Sequence, residues 1–388
     1  TFAASVATIE NAAANRPVAY WLFGCASLVG TMIAVGGATR LTRSGLSMVE
    51  WKPQGSLPPM NEAEWLAEFE KYKQFPEYQQ RKNMTLSEFK GIFAWEYGHR
   101  MLGRTVGLAY AVPLAYYALR KRLPKELYGR FAFLFGLGAT QGGIGWWMVR
   151  SGLEEHGKEQ LAKRNEVRVS PYRLATHVGL QSPSSILLFF TTNTTIAQLG
   201  FAFTTLGVLL WTGFSILNPP SRAAMAREMV SADVLKEAGR IRKYFHRFAT
   251  ILGFTILSGA FVAGTDAGFA YNTFPKMGDD WIPDGLFELQ PMYKNFFEND
   301  ATLSRVVGHV WSQLPQQTRS ALNLTMLAVS GQVALGITTL LNYVPIPLAI
   351  AHQSGAMVVL GSSLWAMHTL NFAHPVAKAA AQVAAKLA

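Results

Sequence analysis

The chain of 388 residues is 50% hydrophobic and only 15% charged. An ordinary soluble domain carries roughly a quarter charged residues, so this composition excludes one. The net charge of +11 does not indicate a nucleic-acid-binding protein, because the basic residues lie in short loops between apolar runs, where they set membrane topology. We therefore expect membrane lipid, and no nucleic acid, among its partners.

Apolar stretches along the chain approach the roughly 20 residues that cross a bilayer as a helix. Pro, Gly or charge clusters bound most of them, as expected where a chain leaves the membrane. The sequence therefore predicts an all-α polytopic membrane protein. The predicted spans are about 18–39, 93–119, 130–149, 199–217, 245–265, 322–343 and 347–370.

The loops between these spans differ in charge. Residues 120–130 hold five basic residues against Glu126 alone, and residues 218–247 hold seven Lys or Arg against three acids. Residues 266–300 show the opposite bias, with seven acids against two lysines. By the positive-inside rule, the N-terminus and the basic loops face the cytoplasm-equivalent side, and the long loops face the outer side.

The first long outer loop, residues 40–92, contains aromatic residues at near-helical spacing. They are Trp65, Phe69, Tyr72 and Phe75, within stretches rich in Glu and Lys. This pattern predicts an amphipathic helix that lies on the membrane surface or caps the helix bundle.

A weak internal repeat is visible in the spans. Residues 141–145 read Gln-Gly-Gly-Ile-Gly, residues 332–336 read Gln-Val-Ala-Leu-Gly, and a histidine follows each at the next span, His177 and His352. Two copies of a four-helix unit would explain this repeat.

Three histidines share one depth in the predicted topology. His99, His177 and His352 each lie near the outer end of a span, and ionisable residues within spans indicate function by default. Two imidazoles at equal depth on facing helices are what six-coordinate heme iron requires. His99 and His177 form one candidate pair, and His352 needs a partner in the other half.

Glu96 stands three residues before His99, so a helix places both side chains on one face. A carboxylate there can accept or relay protons or stabilise positive charge. The alternative is a salt bridge to Arg100 or Arg104. Guanidinium groups near the outer edge are suited to heme propionates, and the candidates are Arg40, Arg100, Arg104 and Arg173.

Several collinear motifs, which together cover most of the chain, resemble the heme A synthase family of the mitochondrial type. Among them are residues 36–42, 96–100, 173–177, 264–268 and 351–355. The resemblance implies eight spans in two four-helix halves, which correspond to residues 1–217 and 218–388.

The resemblance also implies an oxidoreductase activity, the water- or oxygen-dependent oxidation of the C8 methyl group of heme O to a formyl group, which gives heme A for cytochrome c oxidase. His99 and His177 would bind the substrate heme, with Glu96 important for turnover. His352 would bind a heme b cofactor. A ferredoxin-type electron donor, contacts with heme O synthase or oxidase assembly factors, and the mitochondrial inner membrane are implied as well.

The chain departs from the family pattern at two places. Residues 180–198 interrupt the fourth span, and no sixth span is visible between residues 300 and 323. His309 lies near the expected second ligand of the cofactor heme but lacks the surrounding motif. Our hypothesis is that both departures are errors of gene prediction, the first a retained intron and the second a skipped exon segment.

The sequence also fits other functions. A diheme membrane cytochrome that only passes electrons, an inactive heme-binding paralogue and a transporter also fit paired polar residues in membrane helices. Glu96 beside the substrate-side histidine favours an enzyme.

Overall fold

The structure, a computed structural model, describes residues 15–48, 54–74, 83–153, 194–265, 272–274 and 311–373, together with residues 50, 52 and 78. The regular elements in these ranges are helical, which confirms the predicted all-α class. The α-helices described, α1 to α9 in chain order, are Arg16–Leu41, Glu62–Lys73, Leu86–Leu119, Tyr128–Leu153, Thr194–Leu217, Pro220–Glu228, Ala232–Thr265, Gln316–Leu341 and Ile346–Thr369.

The long helices coincide with the predicted spans. Among the described residues, three helical segments are long enough and apolar enough to cross a membrane, by the criteria of length and composition. They are α1, α8 and the part of α5 from Leu199 to Leu217. Helices α3 and α7 each have 34 residues, which is about 51 Å of helix. Because a bilayer core is about 30 Å thick, both extend beyond it, and their polar first turns lie outside the apolar layer.

Two helices begin earlier than the hydropathy of the sequence predicts. Helix α5 begins at Thr194, inside the segment expected to interrupt the fourth span, and α8 begins at Gln316 rather than near residue 322. The polar first turn of α8 follows Pro315 at its N-cap. Residues 180–193 and 301–310 lie outside the described residues, so the interruption of the fourth span and the absent sixth span stay predictions.

The chain divides into two compact units, and the predicted halves, 1–217 and 218–388, stay a prediction. The first unit comprises residues 24–208 and 257–266. The second comprises residues 1–23, 209–256 and 267–388.

In the first unit, α2 packs on the extramembrane start of α3. Phe89 of α3 stacks on Phe69 of α2 with ring centroids 4.9 Å apart, and Tyr72 lies 5.3 Å from the same ring. Thr85 and Glu88 form a capping box at the first turn of α3. The predicted amphipathic helix is therefore confirmed for residues 62–73, with Phe69 and Tyr72 buried against α3. Phe75 lies outside the described residues, and a position on the membrane surface or over the bundle stays a prediction.

Helices α1 and α3 approach closely within the apolar layer. Pro113 inside α3 has no N–H, so the carbonyl of Ala109 loses its usual helical donor. Cys25 of α1 lies 3.6 Å from that carbonyl oxygen and donates its S–H to it. Tyr110 in turn donates to the carbonyl of Phe131 in α4 at 2.9 Å. These contacts connect α1, α3 and α4.

In the second unit, α8 and α9 form an antiparallel hairpin. Tyr343 and Val344 in its short turn have φ angles of 59° and 55°, a left-handed conformation that is unusual for a β-branched residue. The N–H of Val344 donates to the carbonyl of Thr339 at 2.9 Å, which holds the turn closed. This turn sets the register in which the two helices face each other.

Candidate functional site

Glu96 lies in α3 at the centre of a buried hydrogen-bond network. Its side chain is 3% exposed. Its Oε1 accepts a bond of 2.6 Å from Arg100. Its Oε2 accepts from the hydroxyl of Ser47 at 2.7 Å and from the backbone N–H of Met48 at 2.8 Å. The salt bridge to Arg100, the alternative that the sequence left open, is confirmed.

The arginines of α3 hold the loop that follows α1. Arg100 donates to the carbonyls of Glu50 at 2.8 Å and Met48 at 2.9 Å. One turn later, Arg104 donates to the carbonyl of Lys52 at 2.6 Å. Both guanidinium groups therefore bind the loop backbone in this structure, and their proposed contact with heme propionates would be made from these anchored positions.

The same loop is tied to α2 by charged side chains. Lys71 of α2 and Lys52 each lie 2.9 Å from the carboxylate of Glu50. The hydrogen bond from Lys71, followed by that from Lys52, holds the pKa of Glu50 below its ordinary value. About half of the Glu50 side chain is exposed, so these pairs stabilise the loop only slightly.

His99 faces a glycine on the neighbouring helix. It lies three residues after Glu96 on α3 and is half-buried. A Cβ placed on Gly36 of α1 would lie 3.0 Å from its Nε2 atom, closer than side chains pack without movement. The absence of a side chain at Gly36 therefore lets the imidazole lie against the backbone of α1.

His352 in the second unit has the same relation to a glycine. A Cβ on Gly336 of α8 would lie 3.0 Å from Cε1 of His352. The side-chain amide nitrogen of Gln332 lies 3.4 Å from Nε2 of His352. The Nδ1 atom of His352 and the Oε1 atom of Gln332 are both buried and have no hydrogen-bond partner.

These features fit a heme ligand at His352. A buried polar atom without a partner costs about 1–3 kcal/mol, and neutral imidazole nitrogen is a common axial ligand of heme iron. Gly336 supplies the close approach that the ring needs beside the helix. Within the part of the chain that the structure describes, no group of three or more His, Cys, Asp or Glu could hold a bare metal ion.

The remaining predicted site residues have different positions. Arg40 lies in the last turn of α1 and is half-buried. His177, Arg173 and His309 lie outside the described residues, so the second ligand at each site stays a prediction.

Sequence reasoning missed two features of the sites. The contacts of Ser47 and Met48 with Glu96 join positions 49 and 48 residues apart, and no local pattern indicates them. Gln332 was visible as the first residue of the repeated Gln-x-x-x-Gly motif, so the repeat was the signal that could have found it.

Comparison with known proteins gives a consistent result. The family described as "Cytochrome oxidase assembly protein", COX15-CtaA, matches residues 19–364. A protein of Arabidopsis thaliana named "Heme A synthase COX15" is 41% identical over 379 residues, covering 93% of this chain and 76% of the relative. No solved structure matches.

Relatives from a mammal and a bacterium are equally similar. The Bos taurus protein named "Heme A synthase COX15" is 41% identical over 385 residues, covering 95% of this chain and 85% of its own. The "Heme A synthase" of Parvibaculum lavamentivorans is 42% identical over 379 residues, covering 93% of this chain and 97% of the relative. The chain therefore belongs to the cytochrome oxidase assembly protein family COX15-CtaA.

Proposed function

We propose that this chain is a heme A synthase, which oxidises the C8 methyl group of heme O to a formyl group. The observation that carries the proposal is the repeated pairing of a half-buried histidine with a glycine on the adjacent helix, His99 with Gly36 and His352 with Gly336. The names of the relatives support the same activity.

The two histidines take different roles in this proposal. His99, with His177, binds the iron of the substrate heme O. His352 binds a heme b cofactor, and His309 is the candidate for its second ligand. The cofactor supplies one-electron redox chemistry when bound, and the protein supplies ligation and orientation.

Glu96 is the proposed catalytic residue on the substrate side. Its carboxylate lies on the same face of α3 as His99, and donors from Arg100, Ser47 and Met48 fix its position. The proposed oxidation depends on water or dioxygen, which supplies the formyl oxygen. A fixed carboxylate beside the heme edge would accept the protons that the methyl group loses, and it would stabilise positive charge there.

The arginines at the outer ends of the spans are the proposed ligands of the heme propionates. Arg40 and Arg173 are candidates for direct contact. Arg100 and Arg104 bind loop carbonyls, so they position the loop that borders the site and would share these donors with a propionate.

The proposal includes a cellular setting. The basic loops fit a multi-pass protein of the mitochondrial inner membrane, with residues 120–130 and 218–247 on the matrix side. A ferredoxin-type protein is the proposed electron donor, and heme O synthase and oxidase assembly factors are proposed neighbours.

The glycine contacts give a prediction with matched controls. Gly36→Ala and Gly336→Ala are expected to lower the heme content of their own sites, because the added methyl group displaces the adjacent imidazole, and overpacking of this kind costs about 1–3 kcal/mol. Gly24→Ala and Gly331→Ala on the same helices should retain full heme content, since a Cβ at either position meets no atom within 4 Å. Heme is measured as the pyridine hemochrome of the purified proteins, and equal heme content in all four variants would contradict the site assignment.

A host that makes heme O but lacks its own heme A synthase tests the activity. Expression of the chain is expected to restore an a-type absorbance band in membranes and oxidase activity, whereas the His99→Ala variant at equal expression should restore neither. Membranes that contain the chain and its heme but never form heme A would refute the proposed activity.

A further inference from the structure

We infer that Gln332 is a positioning residue that orients the imidazole of His352 for the binding of heme iron. This inference rests on the proposed role of His352 as a ligand of the heme b cofactor. In this inference, the neutral side-chain amide of a residue in α8 sets the orientation of a heme ligand in α9.

The first support is the way α8 faces the histidine. Gln332 and Gly336 are one helical turn apart and lie on the same face. Gln332 places its amide nitrogen 3.4 Å from Nε2 of His352, and Gly336 clears space beside Cε1 of the same ring. Gln332 therefore contacts a nitrogen of the ring, and Gly336 allows the ring to approach α8.

The second support is a reciprocal arrangement on α9. Gly355 lies three residues after His352, and a Cβ there would overlap the side-chain oxygen of Gln332. The amide of Gln332 thus fits between His352 and Gly355 only because residue 355 has no side chain. Substitution at Gly355 would displace the amide from the imidazole.

The third support is the unmet hydrogen bonding at this point. Oε1 of Gln332 and Nδ1 of His352 are both buried without a partner. Two such atoms between packed helices are costly compared with an apolar pair. Packing alone would be better served by an apolar side chain at position 332, so the polar pair indicates a function.

The chemistry of heme ligation explains what the amide does. An imidazole that binds iron through one nitrogen commonly donates its other N–H to an acceptor, which fixes the tautomer and the ring orientation and raises the basicity of the ligand. Rotation of the Gln332 side-chain amide presents either its N–H or its carbonyl oxygen to the ring. With the amide oxygen toward the ring, Gln332 accepts the N–H of Nε2. This leaves Nδ1, the buried nitrogen without a hydrogen-bond partner, for iron.

The test uses the purified full-length chain with His99→Ala, so that the remaining heme signal comes from the site of His352. Gln332→Met keeps the side-chain volume and removes the amide, and Gln332→Glu supplies a stronger acceptor. Gln317→Met, at an exposed position of the same helix, is the matched control. The readouts are heme content and the reduction potential of the bound heme.

Gln332→Met is expected to lower heme affinity by about 10-fold or more and to raise the reduction potential, because the ligand becomes a weaker electron donor. Gln332→Glu is expected to lower the potential, and this opposite shift separates positioning from a general packing defect. If Gln332→Met does not fold, the shift in Gln332→Glu still decides.

Two negative outcomes are distinguishable. A parent chain that binds heme b while Gln332→Glu and Gln332→Met keep the potential of Gln317→Met would overturn the inference alone. A parent chain that binds no heme b would refute the heme role of His352 and the inference with it.

Discussion

Glu96→Ala is expected to abolish heme A formation and to lower the free energy of unfolding by about 3–5 kcal/mol. The mutation leaves the buried guanidinium of Arg100, whose side chain is 6% exposed, without its carboxylate partner. It also removes the acceptor of the N–H of Met48 and the nearest acceptor of the hydroxyl of Ser47, which lies farther, at 3.0 Å, from the carbonyl of Ser44. The loss of stability is measured by denaturant unfolding in detergent, and heme A by chromatography of extracted heme.

Milder variants separate the two roles of Glu96. Ser47→Ala removes one donor but keeps the ion pair, so it should cost about 1 kcal/mol and retain heme A formation. Glu96→Gln keeps an acceptor for Ser47 and Met48 but removes the charge, so it should fold better than Glu96→Ala and still lack activity. A Glu96→Ala protein as stable as wild type would contradict the network, and normal heme A formation in either Glu96 variant would contradict the catalytic role.

His99→Ala and His352→Ala are expected to remove different hemes from the protein. His99→Ala should lower binding of heme O and heme A by at least about 10-fold, since even the loss of an outer hydrogen bond to a metal ligand costs that much. It should leave heme b in place. His352→Ala should show the reverse pattern and should also stop turnover, because the cofactor is lost.

A third histidine serves as the control for this experiment. His246 in α7 contacts the carbonyl of Arg242 in its own helix at 2.8 Å, so His246→Ala should retain both hemes. The hemes are separated by reversed-phase chromatography and counted per protein. Equal loss of both hemes in His99→Ala and His352→Ala would contradict two separate sites.

The helices of this protein were predictable where apolar residues alone determine them. The spans that became α1, α3 and α9 follow from runs of residues long enough to cross a bilayer. The positions at which α5 and α8 begin were not predictable from hydropathy, because Thr194 and Gln316 belong to polar turns that extend each helix beyond its apolar part. The aromatic spacing of residues 65–72 correctly indicated α2, since that face is buried against α3.

The site was predictable only within a single helix. The spacing of Glu96, His99 and Arg100 on α3 predicted their shared location and the ion pair, because helix geometry fixes neighbours three and four residues apart. The contact of Gln332 with His352 depends on the register of the α8–α9 hairpin, which the unusual backbone at Val344 determines. Sequence pattern carries no measure of that register.

Extraction of heme from the purified wild-type protein, made in cells that also supply heme O, tests the central claim most directly. We expect heme A together with heme B, the product from the site of His99 and the cofactor from the site of His352. Heme B or heme O without any heme A would contradict the synthase function and would favour a protein that only binds heme or passes electrons.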